Sequence, residues 1–365
     1  MTFSVCRRDG SVAVQVAWAG ATRDVPPLWL RERCMTQLHP VNRQRLYDSH
    51  RLPVDLRIVE ASVDADVLHV VFSDGHRESF AIEMLEWSLA LPLDLPDPTP
   101  WDASLAEPPR HDWRAVMADD GAFASALDDF LRFGCVLVAG APVEPGTVLD
   151  VGNRFGHVRV TNWGEMFDVQ SKPNPNDLAY TAAPLGPHTD NPYRDPVPGI
   201  QLLHCLVNET SGGASTLVDA VAVTDRLRAE DPAGFELLAT VEVLFDFRDV
   251  DDDIRRVGPL VERDHRGRVT GLAYSPRFDY LPLMAPDDHV VYQRARQRLA
   301  ELLASPEFEM RFVMQPGDIE VFDNSRVLHG RTGFDPNEGP RHLQGCYIDG
   351  DAPRSRYRVL HKVGR

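Results

Sequence analysis

The sequence predicts a mixed, mainly β protein, because short alternating segments separated by turns every eight to twelve residues recur along the chain. Such spacing is typical of a jelly roll or a β-sandwich. Helical patterns between residues 219 and 304 indicate an insertion and an outer layer of helices. A chain of 365 residues is also long enough for more than one folding unit.

The first ninety residues predict a small β-rich domain. Segments 11–18, 67–75 and 76–82 alternate apolar and polar residues, and Asp74-Gly75 is a hairpin signal between the last two. Six prolines between residues 92 and 109 then exclude a continuous helix or central strand. We therefore expect an N-terminal β-rich domain at 1–95, a proline-rich linker at 96–112 and a second domain at 113–365.

The second domain begins with helical patterns and ends with strands. Residues 121–134 have helical apolar spacing with a glycine stop, 135–140 indicate a buried strand, and 147–155 a short helix. Asp219 is expected to cap a helix that continues to Glu230, and further helices are expected at 232–239 and 286–304. The closing strands are predicted in FEMRFVM, IEVFDN, SRVLHGRTGF and RHLQGCYI.

Composition excludes several classes of partner. The net charge of −17 would repel nucleic acid and anionic membranes, so neither is expected as a partner. The acidity serves solubility in many proteins and is also compatible with a cationic small ligand. No apolar run approaches a membrane span, and the N-terminus lacks the apolar core of a signal peptide, so we expect a cytoplasmic protein. Five scattered cysteines imply no disulfide framework.

The stretch PLGPHTDNP contains a candidate metal site. On an extended segment His188 and Asp190 point to the same side, where imidazole nitrogen and carboxylate oxygen suit ferrous iron. His329 in VLHGRTGF offers a third ligand, although a histidine after an apolar strand is more often structural. Two histidines and one carboxylate on one face of an octahedral iron leave three positions open, as oxygen activation requires.

Two further residues suit a dicarboxylate bound at such an iron. Arg341, on the strand after His329, can pair with a distant carboxylate through two N–H groups. Thr216, which follows Gly212-Gly213, offers a hydroxyl donor. Each has a simpler interpretation: Arg341 as a surface ion pair, and Thr216 as an ordinary strand residue.

The motifs taken together resemble a known enzyme family. They are LWLRERC (28–34), AYTAAPLGPHTDNP (179–192), PGIQLLHC (198–205), GDIEVFDNSRVLHGR (317–331) and RHLQGCYID (341–349). Their order is similar to that of the iron(II)/2-oxoglutarate-dependent dioxygenases of the taurine dioxygenase superfamily, in the branch of the γ-butyrobetaine and trimethyllysine hydroxylases. The resemblance implies a double-stranded β-helix (jelly-roll) catalytic core with outer helices, a small β-rich N-terminal domain, and a homodimer.

The resemblance also implies cofactors and roles for residues. Fe(II) would be held by His188, Asp190 and His329, and 2-oxoglutarate by Thr216, Arg341 and Leu203, with O2 as oxidant. The branch binds quaternary ammonium substrates in an aromatic cage, since ring faces attract a trimethylammonium that cannot donate hydrogen bonds. The matching rings here are Trp163, Phe167, Tyr180 and Tyr347.

The anionic end of the substrate is where the chain departs from the family. Asparagines that contact the substrate carboxylate in γ-butyrobetaine hydroxylase correspond to Asp177 (or Asn176) and Ser275, with Arg277 near the latter and Asn191 beside the iron motif. A Ser–Arg pair suits a larger, more charged anion. Our hypothesis is therefore hydroxylation of 2-(trimethylamino)ethylphosphonate, and the alternative is γ-butyrobetaine, giving carnitine.

The family's N-terminal domain usually holds a zinc with three cysteines and a histidine. The segment CMTQLH keeps Cys34, has Thr36 in place of a cysteine and offers His39, while His76 matches the histidine. Structural zinc sites are normally closed by four nitrogen or sulfur ligands. We therefore expect this zinc to be lost.

Overall fold

In the computed structural model the chain forms two compact units, residues 1–94 and 95–365. The structure describes residues 2–8, 11–90, 95–170 and 181–361. Among these residues, no helix is both long and apolar enough to cross a bilayer. The five cysteines, all within the described ranges, are free.

The smaller unit is built on an antiparallel sheet in the order β1-β2-β4-β5-β6, with β3 paired to β2. Its apolar face encloses a core that includes Leu30, Leu68 and Phe72. The predicted hairpin at Asp74-Gly75 is present between β5 and β6, and Gly75 has a φ of 83° that favours glycine. The elements are β1 (Thr2–Arg8), β2 (Ser11–Trp18), β3 (Ala21–Asp24), α1 (Pro27–Arg31), a 3-10 turn (Ser49–Arg51), β4 (Ile58–Asp64), β5 (Val67–Phe72), β6 (Arg77–Ala81) and α2 (Ile82–Ala90).

The larger unit contains the predicted jelly roll. Its elements are β7 (Arg110–Asp112), α3 (Trp113–Ala118), α4 (Asp120–Phe133), β8 (Cys135–Ala139), α5 (Thr147–Phe155), β9 (Val158–Arg159), β10 (Phe167–Gln170), β11 (Leu185–His188), β12 (Ile200–Asn208), β13 (Ser215–Asp219), α6 (Ala220–Glu230), α7 (Pro232–Thr240), β14 (Val243–Arg248), β15 (Asp253–Gly258), β16 (Val261–Arg263), β17 (Val269–Leu272), β18 (Asp279–Tyr280), α8 (Pro286–Leu303), β19 (Glu309–Phe312), β20 (Ile319–Asp323), β21 (Val327–Arg331), β22 (Arg341–Ile348) and α9 (Ala352–Leu360). The β14–β15 hairpin was not predicted from the sequence.

Two sheets face each other in this unit. The major sheet has the order β10-β22-β12-β20-β8-β7, with β9 on β22, and the minor sheet the order β11-β21-β13-β19. Side chains from both sheets fill the space between them, including Leu343 and Phe322 from the major sheet and Leu217 from the minor. Helices α3–α5 cover the outside of the major sheet, and α6–α8 pack with β14–β17 in a separate core. The mainly β jelly roll with outer helices is thus confirmed.

The proline-rich segment 96–112, predicted as a linker, lies within the larger unit and is bonded to it. Trp101 is buried, its indole N–H donates to the carbonyl of Phe133, and its backbone N–H donates to Asp219. Asp219 also forms a buried ion pair with Arg326, whose guanidinium reaches the carbonyl of Thr99. Between residues 96 and 109 the segment forms no helix or strand, and its polar backbone groups are bonded to the jelly roll; β7 then begins at Arg110.

Candidate active site

Two hydrogen-bonded strands bring the predicted metal ligands together. His188 ends β11 and lies opposite His329 of β21, with 4.3 Å between ring centroids. Asp190 follows two residues later, and its Oδ1 lies 3.3 Å from His188 Nε2 and 3.8 Å from His329 Nε2. All three ligand atoms lie within 4.8 Å of one another, so a single ion can contact them all.

The protonation states of this cluster suit a divalent metal. His188 Nδ1–H donates to the carbonyl of Gly186 at 3.0 Å, so Nε2 is the ring nitrogen that faces Asp190. Burial, with the charge of His188, lowers the pKa of His329 to about 3, so its imidazole is neutral. Burial raises the pKa of Asp190, but its interactions with His329 and His188 and the hydrogen bond from Tyr347 outweigh it and hold this pKa well below its usual range. Imidazole nitrogens and a carboxylate oxygen form a donor set that iron(II) prefers.

Two residues outside the ligand set fix the position of Asp190. The Tyr347 hydroxyl donates to Asp190 Oδ2 at 2.7 Å. Asn324, fully buried, accepts the backbone N–H of Asp190 at 2.7 Å and donates to its carbonyl at 3.0 Å. The carboxylate is therefore oriented from its side chain and from its backbone.

A cavity of about 120 Å3 extends from the metal ligands and has aromatic walls. Trp163, Phe167 and Tyr347 line it, and the rings of Phe167 and Tyr347 stack with centroids 5.1 Å apart. Two of the other predicted substrate contacts, Tyr180 and Asp177, lie outside the described residues. Three of the four predicted cage rings are thus in one cavity.

Sequence reasoning missed two aromatic residues of this cavity, Tyr193 and Phe278. Their rings meet edge to face at 5.2 Å, and the Tyr193 hydroxyl donates to Asn191 Oδ1 at 2.6 Å. The position of Tyr193, directly after the metal motif in NPY, was a signal that could have found it. Asn191 also lines the cavity, and its buried Nδ2 has no hydrogen-bond partner within the described ranges.

The cavity wall also contains a buried cation, Arg341. Arg341 donates from Nη2 to the carbonyl of Gly213 at 3.1 Å, while its buried Nε lacks a partner among the described residues. Leu203 lines the cavity too. Thr216 is buried opposite Gly330, where an added Cβ would lie 2.9 Å from its Oγ1. Thr216 is not among the described residues that line the cavity, whereas its neighbour Ser215 is. A desolvated guanidinium with an unmet donor fits a carboxylate ligand.

The two residues proposed for the substrate anion lie in different surroundings. Arg277 lines the cavity, and its charge helps to lower the pKa of His329. Ser275 is not among the described residues that line the cavity, and its buried Oγ has no hydrogen-bond partner there. Ser275 and Arg277 were expected from the sequence to contact the substrate anion together. Only Arg277 lines the described part of the cavity.

The smaller unit contains a second cluster of possible metal ligands. Cys34 and His76 lie with Glu78, their ligand atoms within 4.8 Å. Thr36 donates its hydroxyl to Glu78 at 2.6 Å, and His39 is engaged by backbone N–H groups of its own turn. Burial raises the pKa of the Cys34 thiol to about 12. Three possible ligands, one of them a carboxylate already bonded to Thr36, with His39 outside the cluster, do not fit a closed four-ligand zinc site.

Comparisons with known proteins agree with this geometry. Residues 96–347 match the model described as "Taurine catabolism dioxygenase TauD, TfdA family", and residues 7–86 match "Gamma-butyrobetaine hydroxylase-like, N-terminal". Among characterised relatives, a gamma-butyrobetaine dioxygenase of Pseudomonas sp. (strain AK-1) is 34% identical over 96% of this chain and 94% of its own. The gamma-butyrobetaine dioxygenase of Homo sapiens is 29% identical over 97% of this chain and 96% of its own.

Solved structures show the same fold at lower identity. A taurine dioxygenase from Burkholderia xenovorans aligns with a TM-score of 0.52 and 17% identity, covering 70% of this chain and 91% of its own. The jelly roll and its two-histidine, one-carboxylate site define a non-haem iron(II)/2-oxoglutarate-dependent dioxygenase. The chain belongs to the TauD/TfdA family, with a γ-butyrobetaine hydroxylase-like N-terminal segment.

Proposed function

We propose that this enzyme hydroxylates γ-butyrobetaine while 2-oxoglutarate is converted to succinate and carbon dioxide. The observation that carries the proposal is a cavity with aromatic rings and an arginine, Arg277, that opens onto the iron ligands. γ-Butyrobetaine has a trimethylammonium at one end and a carboxylate at the other, which complement these two features. Relatives named gamma-butyrobetaine dioxygenase that match over nearly the whole chain support the same substrate.

In this proposal the cofactor end of the cavity is organised by three groups of residues. His188, Asp190 and His329 hold iron(II), which supplies oxygen activation when bound. Arg341 would bind the distant carboxylate of 2-oxoglutarate, and Leu203 would pack along its methylene groups. Thr216 is not among the described residues that line the cavity, so its part in this site stays a prediction. The unmet buried Nε of Arg341 supports this assignment, since a carboxylate would satisfy it.

The substrate end would be bound from both sides. The ring faces of Trp163, Phe167 and Tyr347 attract the trimethylammonium through cation–π interactions. The Asn191 amide and the Arg277 guanidinium would receive the substrate carboxylate, and the unpartnered Nδ2 of Asn191 supports this role. Two fixed ends position the carbon chain between them beside the iron ligands.

The phosphonate substrate, which the sequence favoured, has less support than γ-butyrobetaine. That hypothesis required Ser275 and Arg277 to act together on a larger anion, and Ser275 does not line the described part of the cavity. Arg277 and Asn191 form a smaller donor set, which suits a carboxylate better than a phosphonate with three oxygens.

A turnover panel tests the proposal. The full-length enzyme with Fe(II), 2-oxoglutarate and O2 is given γ-butyrobetaine, 2-(trimethylamino)ethylphosphonate or trimethyllysine, and mass spectrometry detects the product that has gained one oxygen. We expect γ-butyrobetaine to have the highest kcat/KM. Faster oxidation of the phosphonate would overturn the proposal and restore the earlier hypothesis.

An isosteric control isolates the role of the aromatic walls. In 5,5-dimethylhexanoate a carbon replaces the nitrogen of γ-butyrobetaine, so shape and carboxylate are kept while the cation is lost. We expect binding about 10-fold weaker or worse, because the cation–π attraction of a desolvated site is absent. Equal affinity for the two compounds would show that the rings act as ordinary apolar walls.

The homodimer implied by the resemblance and the domain limits at 95 and 112 remain predictions. Light scattering of the purified full-length chain measures the first directly. Limited proteolysis tests the second: a linker at 96–112 would be cut, whereas the packed segment described above resists cleavage.

A further inference from the structure

A buried carboxyl group of the larger unit, Glu320, has no role so far. It belongs to β20, between Leu203 of β12 and Leu137 of β8, and is 1% exposed. Its side chain nevertheless lines the cavity. Its Oε1 is buried and has no hydrogen-bond partner among the described residues. An acid in the middle of an apolar strand without a partner is costly unless something else contacts it.

The surroundings of Glu320 contain one cation that influences it, Arg341 of β22. The two do not approach within salt-bridge distance in the described structure, and Arg341 Nε is likewise without a partner. The neighbouring strands carry two thiols, Cys135 of β8 and Cys205 of β12. Burial raises the pKa of each thiol, so both are neutral. The remaining charged groups of the cavity, Arg331, Arg277 and the metal ligands, are contributed by other parts of the wall.

Glu320 Oε1 and Arg341 Nε both lack a hydrogen-bond partner among the described residues, which suggests that one ligand contacts both. A guanidinium N–H seeks an acceptor, and a protonated carboxyl offers an O–H donor, so both can bind the same carboxylate. An ionised Glu320 would instead repel a dicarboxylate at close range. Burial raises the pKa of Glu320 to about 8, so the neutral form already predominates at neutral pH.

We propose that 2-oxoglutarate binds with Glu320 protonated, that the Glu320 O–H donates to the cosubstrate carboxylate beside Arg341, and that binding draws a proton from solvent whenever Glu320 is ionised. The balance is simple: one proton moves from water to Glu320, and no covalent bond forms or breaks in the cosubstrate. Affinity for 2-oxoglutarate then falls as the pH rises through the pKa of the unbound enzyme.

Calorimetry of binding tests this coupling without turnover. The full-length enzyme with Fe(II) is titrated anaerobically with 2-oxoglutarate in two buffers that both hold the chosen pH and differ in ionisation heat, and the difference in measured heat reports the number of protons exchanged. With a pKa of about 8, we expect uptake of about 0.1 proton at pH 7 and about 0.9 at pH 9. The affinity should fall towards tenfold per pH unit above pH 8. No uptake by the wild-type enzyme at pH 9 would overturn the proposal.

Two substitutions separate charge from hydrogen bonding. Glu320→Gln keeps a neutral donor of the same shape, so it should bind 2-oxoglutarate within about threefold of wild type at pH 7 and lose the proton uptake at pH 9. Glu320→Leu removes the donor and should bind about tenfold more weakly at every pH. A Glu320→Gln enzyme with the wild-type proton uptake would assign the coupling to another group and refute the proposal. Wild-type affinity in Glu320→Leu would refute the hydrogen bond.

Discussion

Tyr347 has two potential roles that one substitution can separate. Its ring stacks on Phe167 in the substrate wall, while its hydroxyl donates to Asp190 Oδ2 at 2.7 Å. Tyr347→Phe keeps the ring and leaves a buried oxygen of the metal ligand without its donor. Losing a hydrogen bond to a charged group costs about 1.5–3 kcal/mol, which corresponds to about 10- to 100-fold weaker iron(II) binding.

The assay is an anaerobic titration of iron(II) against a chromophoric chelator, with circular dichroism as the check on folding. Tyr193→Phe is the matched control, because the Tyr193 hydroxyl donates to Asn191 and not to a metal ligand. We expect the control to bind iron within about threefold of wild type. If Tyr347→Phe does the same, the hydroxyl does not support the metal site and the reasoning fails.

Three further predictions concern the metal, the fold and the cage. His188→Ala should abolish the weak visible band formed anaerobically by Fe(II) and 2-oxoglutarate, and a band of unchanged intensity would contradict the metal assignment. Arg326→Ala leaves Asp219 buried and unpaired, so thermal unfolding should show a loss of about 3–5 kcal/mol, whereas a change below 1 kcal/mol would contradict the buried ion pair. Gly345→Ala would place a Cβ 2.5 Å from the Phe167 ring and 3.0 Å from Leu203, so KM for γ-butyrobetaine should rise several-fold; an unchanged KM would remove Phe167 from the cage.

The iron ligands and the jelly roll were predictable because their signals are local. Alternation on an extended segment puts His188 and Asp190 on one side, and apolar runs with turns define the strands. The support of Asp190 by Tyr347 was not predictable, since it depends on the register of strands separated by more than 150 residues in sequence. The surroundings of Ser275 were not predictable for the same reason. Its nearness to Arg277 in sequence does not determine which of the two side chains lines the cavity.

The sequence contained a signal for the buried position of Glu320 that was overlooked. An acidic residue in the apolar run IEVF is unusual for a buried strand. Period-two alternation places it on the same face as Phe322, which packs between the two sheets. The pattern therefore indicates an inward-facing acid, although the ligand it faces could be inferred only from the cavity.

The pairing of His188 with His329 across neighbouring strands determines when the metal site becomes ordered. Ladder hydrogen bonds of β11, β21 and β13 fix the backbone of both histidines as soon as the minor sheet forms. Asn324 does the same for the backbone of Asp190. The conformational entropy of assembling three ligands is thus lost during folding, and iron meets a site that is already organised. Apoenzyme and iron-loaded enzyme should accordingly have nearly the same backbone around these residues.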